Sequence, residues 1–281
     1  MKKSLWIVLF FATSSFSNTQ ISTQYSYKDY DNSKTKINGK TIDYNIKHKI
    51  DDFNLEINYE DSSTKRKNFI TNQSLEKLNV EKLGSKLTYS LNENLRGKIS
   101  ILSIEDNLAV TDNGKVYSVG LLKKIDKNKH IKSDFYFSDY EDFNVNQYDL
   151  NFAKRFDYEE YSLVLNTGVK YIKINGNQYG NYSFQDKNFQ VLDLSLKANY
   201  KNNFLTFRTL VGDRLFSVLN DGIKVQHHAM MQESFYTVKI EKKLKKLDIF
   251  ASWNYQKGKE LPENQDNVKT KTYTLGLNYK F

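Results

Sequence analysis

The 281-residue sequence has no cysteine and a single proline. Without cysteine it has no lipoprotein attachment site and no disulfide staple. Pro262 sits among Glu260, Glu263, Asn264 and Asp266 and reads as part of a loop. Glycine is sparse at 12 residues. Beyond the first residues, no segment approaches the roughly 18 consecutive apolar residues of a transmembrane helix. Against these shortages stand 20 Tyr and 18 Phe. Many aromatics with almost no proline suit long, uninterrupted strands.

Lys2 and Lys3 precede a compact apolar run, Leu5-Trp-Ile-Val-Leu-Phe-Phe-Ala12, and Ser15-Phe-Ser17 supplies small residues at the two positions a signal peptidase needs. The run is too short to cross a bilayer of about 30 Å as a helix. A buried first helix is the alternative, and the basic start and small-residue exit oppose it. The expectation is a signal peptide over residues 1–17 and one domain over residues 18–281. The formal charge of +9 falls to about +7 when Lys2 and Lys3 leave. Lysine is scattered on alternate positions rather than clustered, which argues against a nucleic-acid partner.

Tyr273-Thr-Leu275-Gly-Leu277-Asn-Tyr279-Lys-Phe281 alternates apolar and polar without a miss. Period-2 alternation puts Tyr273, Leu275, Leu277, Tyr279 and Phe281 on one strand face and Thr274, Gly276, Asn278 and Lys280 on the other. Similar patterns recur from Gln20 onward and give about 14 strands, in a range of 12–16, mostly near the 9–11 residues a tilted strand needs to cross a membrane. The stretches 116–125 and 204–211 alternate poorly. Tight polar turns fall at Asp51-Asp52, Glu93-Asn94, Asp126–Asn128, Asp157–Glu159, Asn202-Asn203 and Lys245-Lys246. Longer polar connections cover 29–39, 61–79, 106–114, 139–146, 175–187, 212–231 and 257–268. Short and long connections alternate, the layout of an all-β, antiparallel, up-and-down transmembrane barrel.

Alternation alone does not say which face is wet. A soluble barrel of about 14 strands lined by Leu, Tyr and Ile would enclose an apolar void that side chains cannot fill. Turned inside out, apolar residues meet lipid and polar residues line water. A soluble two-sheet sandwich is the competing architecture, and strand length and loop alternation count against it. Aromatics fall into two belts, with Phe53, Phe156, Tyr161 and Phe281 at one rim and Tyr27, Tyr59, Trp253 and Tyr273 at the other. Ordinary β-propensity would scatter them instead.

The polar faces then predict a lumen lined by Lys28, Asp43, Lys47, Glu56, Lys86, Lys98, Lys132, Asp134, Asp149, Arg155, Lys170, Asp193, Lys197, Arg208 and Asp248. A mixed-charge, wet interior suits passive diffusion of small hydrophilic solutes, and its modest basic excess favours anions. The structural alternative is that these charges pair across strands to stabilise the wall. Of the long connections, 61–79 and 212–231 are the candidates to fold inward. They mix charge with Phe69, Ile70, Met230 and Met231.

The alternation together with Tyr279-Lys280-Phe281 resembles Gram-negative outer-membrane β-barrel proteins. In length and strand number the chain is similar to the small monomeric porins typified by outer membrane protein G. The resemblance implies residence in the cell outer membrane, contact with its lipid and lipopolysaccharide, and assembly by the barrel assembly machinery. That machinery would read Tyr273, Leu275, Leu277, Tyr279 and Phe281. It further implies short turns on the periplasmic rim, long loops outside, and small polar solutes as cargo.

An enzymatic barrel needs a histidine beside Ser, Asp or Asn on a rigid rim. His48 and His130 lie near turns on the predicted periplasmic rim, and His227-His228 sits in a long loop near Asp221 and Gln226. No phosphate loop, metal-ligand cluster or nucleophile elbow appears. No enzyme activity, cofactor or metal is expected. The functional expectation is a diffusion channel. The alternative is a non-channel barrel whose extracellular loops bind a surface partner in the manner of an adhesin.

Overall fold

The computed structural model describes residues 18–108, 111–179, 182–226, 229–261 and 263–281. The expected signal peptide, the His227-His228 pair and Pro262 lie outside the described residues. Fourteen antiparallel strands close into one barrel. They are β1 (Thr19–Asp31), β2 (Lys36–Ile50), β3 (Phe53–Lys67), β4 (Ser74–Asn92), β5 (Leu95–Asp106), β6 (Lys115–Asp126) and β7 (Lys129–Asp139). The second half comprises β8 (Asn144–Asp157), β9 (Tyr161–Asn175), β10 (Asn188–Tyr200), β11 (Asn203–Arg214), β12 (Met230–Lys243), β13 (Leu247–Glu260) and β14 (Gln265–Lys280). Each pairs with its neighbours in sequence, and β1 closes the ring on β14. The poorly alternating stretches belong to β6 and β11; they hold regular registers with β5 and β10, while the pairings with β7 and β12 slip after Lys124 and after Val211.

The seam shows why the sequence closes here. Tyr25 pairs with Leu275 and Tyr27 with Tyr273 on the outside, while Ser26 pairs with Thr274 and Ser22 with Asn278 on the inside. The hydroxyls of Ser26 and Thr274 are 2.8 Å apart. Outward positions carry exposed Ile, Leu, Val and aromatics around the whole ring, with Leu275 67% exposed. An apolar face left open in this way is stable only against lipid.

All six expected tight turns stand where strands join at the rim that carries Thr19 and Lys280, here called the terminal rim. The opposite, loop rim departs from expectation. Polar residues read as loop instead continue the ladder: Ser62 pairs with Val80, and Ser63 with Asn79. The connection expected at 61–79 therefore shrinks to residues 68–73, and Phe69 and Ile70 stay exposed above the barrel. It does not fold inward. Backbone pairing satisfies donors and acceptors whatever the side chains, so polar composition alone did not end these strands.

The connection between β11 and β12 does turn inward. Its small hairpin pairs Val218 with Val225 and Leu219 with Lys224. A one-turn 3-10 segment, Asn220–Gly222, forms the tip.

Candidate functional site: a charged lumen crossed by an inward hairpin

The barrel interior has two halves. Towards the loop rim, inward positions of β4 to β11 turn apolar: Val80, Leu102, Ile104, Val116, Val145, Ile172, Ile174, Val191 and Leu210 are all buried. They pack with Leu215, Phe216 and Val218 of the inward connection and with Tyr140, Phe143 and Phe184 of adjacent loops. Phe216 anchors this collar. Its ring centroid lies 4.7 Å from that of Phe143 and 5.7 Å from that of Tyr140. Its backbone sits in the left-handed region at φ 53°, a costly conformation for a bulky residue that such packing sustains.

Below the collar the interior is charged, and the hairpin tip enters it as a two-signed clasp. Asp221 accepts from Lys98 at 2.8 Å and from Lys132, and its other oxygen lies 3.8 Å from Lys86. On the opposite leg Lys224 donates to Asp43 and stands 3.7 Å from Glu60. The loop thus offers an anion to a cationic stretch of wall on β4, β5 and β7, and a cation to an acidic stretch on β2 and β3. Burial pushes the Asp221 carboxyl up, but the ammonium groups of Lys132 and Lys98 outweigh it and hold the carboxyl well below the usual range. For Lys224, burial lowers the ammonium, and Glu60 and Asp43 more than reverse this.

The tip fits tightly. Gly222 has φ 91°, and a Cβ there would come within 2.1 Å of Ser100 Oγ. Inside the wall, a Cβ on Gly120 would stand 2.0 Å from Asp134 Oδ1 and 2.5 Å from Lys98 Cε. Glycine at this inward position leaves room for the Lys98–Asp134 pair to lie across β6 at 2.7 Å.

The predicted lining residues separate by height. Lys86, Lys98, Lys132, Asp43 and Asp134 belong to the clasp or to ion pairs touching it. Glu56 joins Lys86 at 2.6 Å and Lys47 at 3.3 Å. Asp149 takes Lys170, and Asp193 is held by Arg208 through Nε at 3.0 Å and Nη2 at 2.7 Å. Lys28 faces inward on β1 opposite Gly39 and Thr272. Asp248 pairs with Lys280 at 2.7 Å near the terminal rim. Arg155 also stands at that rim, bonded to Asp157 at 2.5 Å, and Lys197 lies over the Phe204 ring at 4.6 Å. Neither of those two pairs with a residue of the inward hairpin. The sequence reading did not include Glu60, Lys82, Asp221 or Lys224 among the lining residues.

Two cavities open beneath the tip on the terminal side, and both reach Asn220. One, of about 460 Å³, lies against β1 to β3 and β12 to β14; the other, of about 340 Å³, lies against β7 to β11 and includes Lys132 and Asp221.

A closed 14-strand antiparallel barrel with an apolar exterior and a charged interior has the fold of outer-membrane β-barrels. No protein-family model matches the sequence, and no curated protein does. Solved structures do match in fold. A bacterial polysaccharide outer membrane secretin aligns over 95% of this chain and 100% of its own, with TM-score 0.59 and 10% identity. The CymD monoaromatic hydrocarbon channel aligns over 95% and 89% with TM-score 0.60 and 8% identity. The toluene transporter TodX of Pseudomonas putida aligns over 95% and 90% with TM-score 0.59 and 8% identity.

Proposed function

We propose that the protein is a non-catalytic outer-membrane channel through which small hydrophilic solutes diffuse, with a bias towards anions, and that the inward hairpin holds it closed in this conformation. The observation that carries this reading is the clasp. A polar, cavity-bearing lumen is crossed by a connection whose tip is tied by side-chain ion pairs rather than built into the wall. Ion pairs can exchange with solute and water, whereas a strand of the wall cannot leave. The charged lower lumen favours polar cargo over the hydrocarbons named for the structural neighbours. In this reading residues 1–17 direct export, the terminal rim faces the periplasm, and the outward aromatics of β14 meet lipid and are read during assembly.

Planar-bilayer recording of the refolded protein tests the proposal. Discrete open steps and a salt-gradient reversal potential of anion-selective sign are expected. A folded barrel that never conducts would overturn it.

One observation favours a second reading, in which the loop rim binds a surface partner. A recess of about 510 Å³ there is lined by Lys34, Lys36, Lys67, Tyr30 and Phe69. Two of its lining residues are tied to buried Glu260, which accepts from Ser33 at 2.7 Å and from Lys36 at 3.0 Å. Cell-surface binding that persists in a non-conducting barrel, and that is lost on replacing Phe69 and Lys67, would favour it.

A further inference from the structure

We propose that Lys86, Lys98 and Lys132 form an oxyanion-binding site on the solute path, and that Asp221 is the built-in competitor occupying it. The proposal deepens the channel reading and rests on it.

Three ammonium groups from three strands converge on one carboxylate, two through Oδ1 and one through Oδ2. The wall supplies two acids of its own to these lysines. Glu56 meets Lys86 at 2.6 Å, and Asp134 meets Lys98 at 2.7 Å and Lys132 at 3.1 Å. Lys47 also meets Glu56 at 3.3 Å, so four cations face these two acids, and Asp221 offsets part of the positive excess. When the tip withdraws, that excess needs a replacement anion with oxygen acceptors. A carboxylate or a phosphate has the right chemistry, since ammonium groups bind oxyanions by charge-assisted hydrogen bonds.

The contact is built to be exchanged. Asp221 and Lys132 side chains are 33% and 24% exposed, and both line the 340 Å³ cavity, so an anion reaches them without crossing the wall. The tip itself is a tight turn. Asn220 and Asp221 both have positive φ, at 48° and 59°. Asn and Asp adopt this conformation more readily than other non-glycine residues, which suits them to so tight a turn. An anion that binds the triad therefore stabilises the open state by displacing the carboxylate that closes it.

The test compares the parent with Asp221→Asn and with Asp221→Ala, which removes the carboxylate without placing an amide among the lysines. Heat-modifiable mobility verifies folding of each variant. Inorganic phosphate, acetate and chloride are titrated calorimetrically into the folded barrels, and each is added to bilayers carrying chloride current. Loss of the competitor should tighten phosphate or acetate binding about tenfold or more, because the fraction of competent sites rises. Adding Lys98→Gln and Lys132→Gln to either Asp221 variant should abolish that gain. Of phosphate and acetate, the tighter binder identifies the solute's anionic group. Equal binding by parent and both Asp221 variants, or binding that survives loss of both lysines, overturns the site. Conductance without that binding leaves the channel standing and the site refuted. Binding without conductance leaves the site standing and the channel refuted.

Discussion

The Gln147 side-chain amide is paired with both backbone groups of Val218: its Nε2 donates to the Val218 carbonyl at 2.9 Å and its Oε1 accepts from the Val218 N–H at 2.8 Å. One fully buried wall residue on β8 thus does for the descending leg of the hairpin what a neighbouring strand would do. Ser217 adds a hydroxyl donor to the same oxygen at 3.3 Å. The arrangement satisfies buried groups that would otherwise be costly.

Gln147→Leu removes both partners and leaves two buried backbone groups unpaired, at about 1–3 kcal/mol each. The barrel should still fold, since the wall ladder is untouched. The closed-to-open ratio should fall, by roughly 30-fold for about 2 kcal/mol. Single-channel open probability, or protease cutting within residues 215–229, reads the change. An unaltered closed fraction would show that the leg is held by apolar packing alone.

The clasp has a definite pH window. Asp221 titrates below its unfolded value of about 3.9, so its contribution is complete above about pH 5 and is lost as pH falls through the depressed folded value. Lys224 titrates above its unfolded value of about 10.4, so its contribution is present below that pH and is lost as pH rises through the raised folded value. Closed-state occupancy in bilayers should therefore stay flat from about pH 5 through neutrality. A transition inside that window would transfer control to another group, with His130, which lines the same cavity as Asp221, the candidate.

An engineered disulfide can hold the hairpin shut. A Cβ on Gly84 of β4 would stand 3.4 Å from the Cβ of Ile223 beside the tip, close to the spacing of about 3.5–4.5 Å in disulfides. The parent has no cysteine, so Gly84→Cys with Ile223→Cys forms one unambiguous pair. Conductance should disappear on oxidation and return on reduction. Full conductance with the disulfide shown intact by mass spectrometry would exclude hairpin withdrawal as the opening step.

Leu275→Arg tests the outer face. This residue is the most exposed of the outward apolar positions on β14. A lipid-facing arginine near the bilayer midplane costs about 2–4 kcal/mol. Refolding into lipid vesicles, followed by urea titration, should show that loss. A variant as stable as the parent would place Leu275 away from lipid.

Period-2 alternation makes the barrel legible because each strand must present one face to lipid and the other to the interior. Tyr273 to Phe281 needs no partner to reveal its two faces. The hairpin is legible more weakly, as one of two long connections carrying apolar residues, because nothing local separates Phe216 from the exposed Phe69. Parity gives Arg155 and Lys98 the same inward direction, yet it carries no information on height. Only the ring closure shows that one stands at the rim and the other at the clasp. The Lys98–Asp221 contact spans 123 positions. Its local traces are glycines, Gly120 leaving room for Lys98 and Asp134, and Gly84 and Gly222 leaving room for the tip.

The two ends of the clasp also settle how a transmembrane voltage acts on it. Moving one elementary charge through 100 mV is worth about 2.3 kcal/mol, enough to drive a gate that carries net charge. Asp221 and Lys224 are of opposite sign and three residues apart, so the tip is a dipole with no net charge. An applied field exerts a turning moment on it and no net force. If the hairpin gates the channel as proposed, its withdrawal is expected to respond little to membrane potential and strongly to ions that compete for its ends.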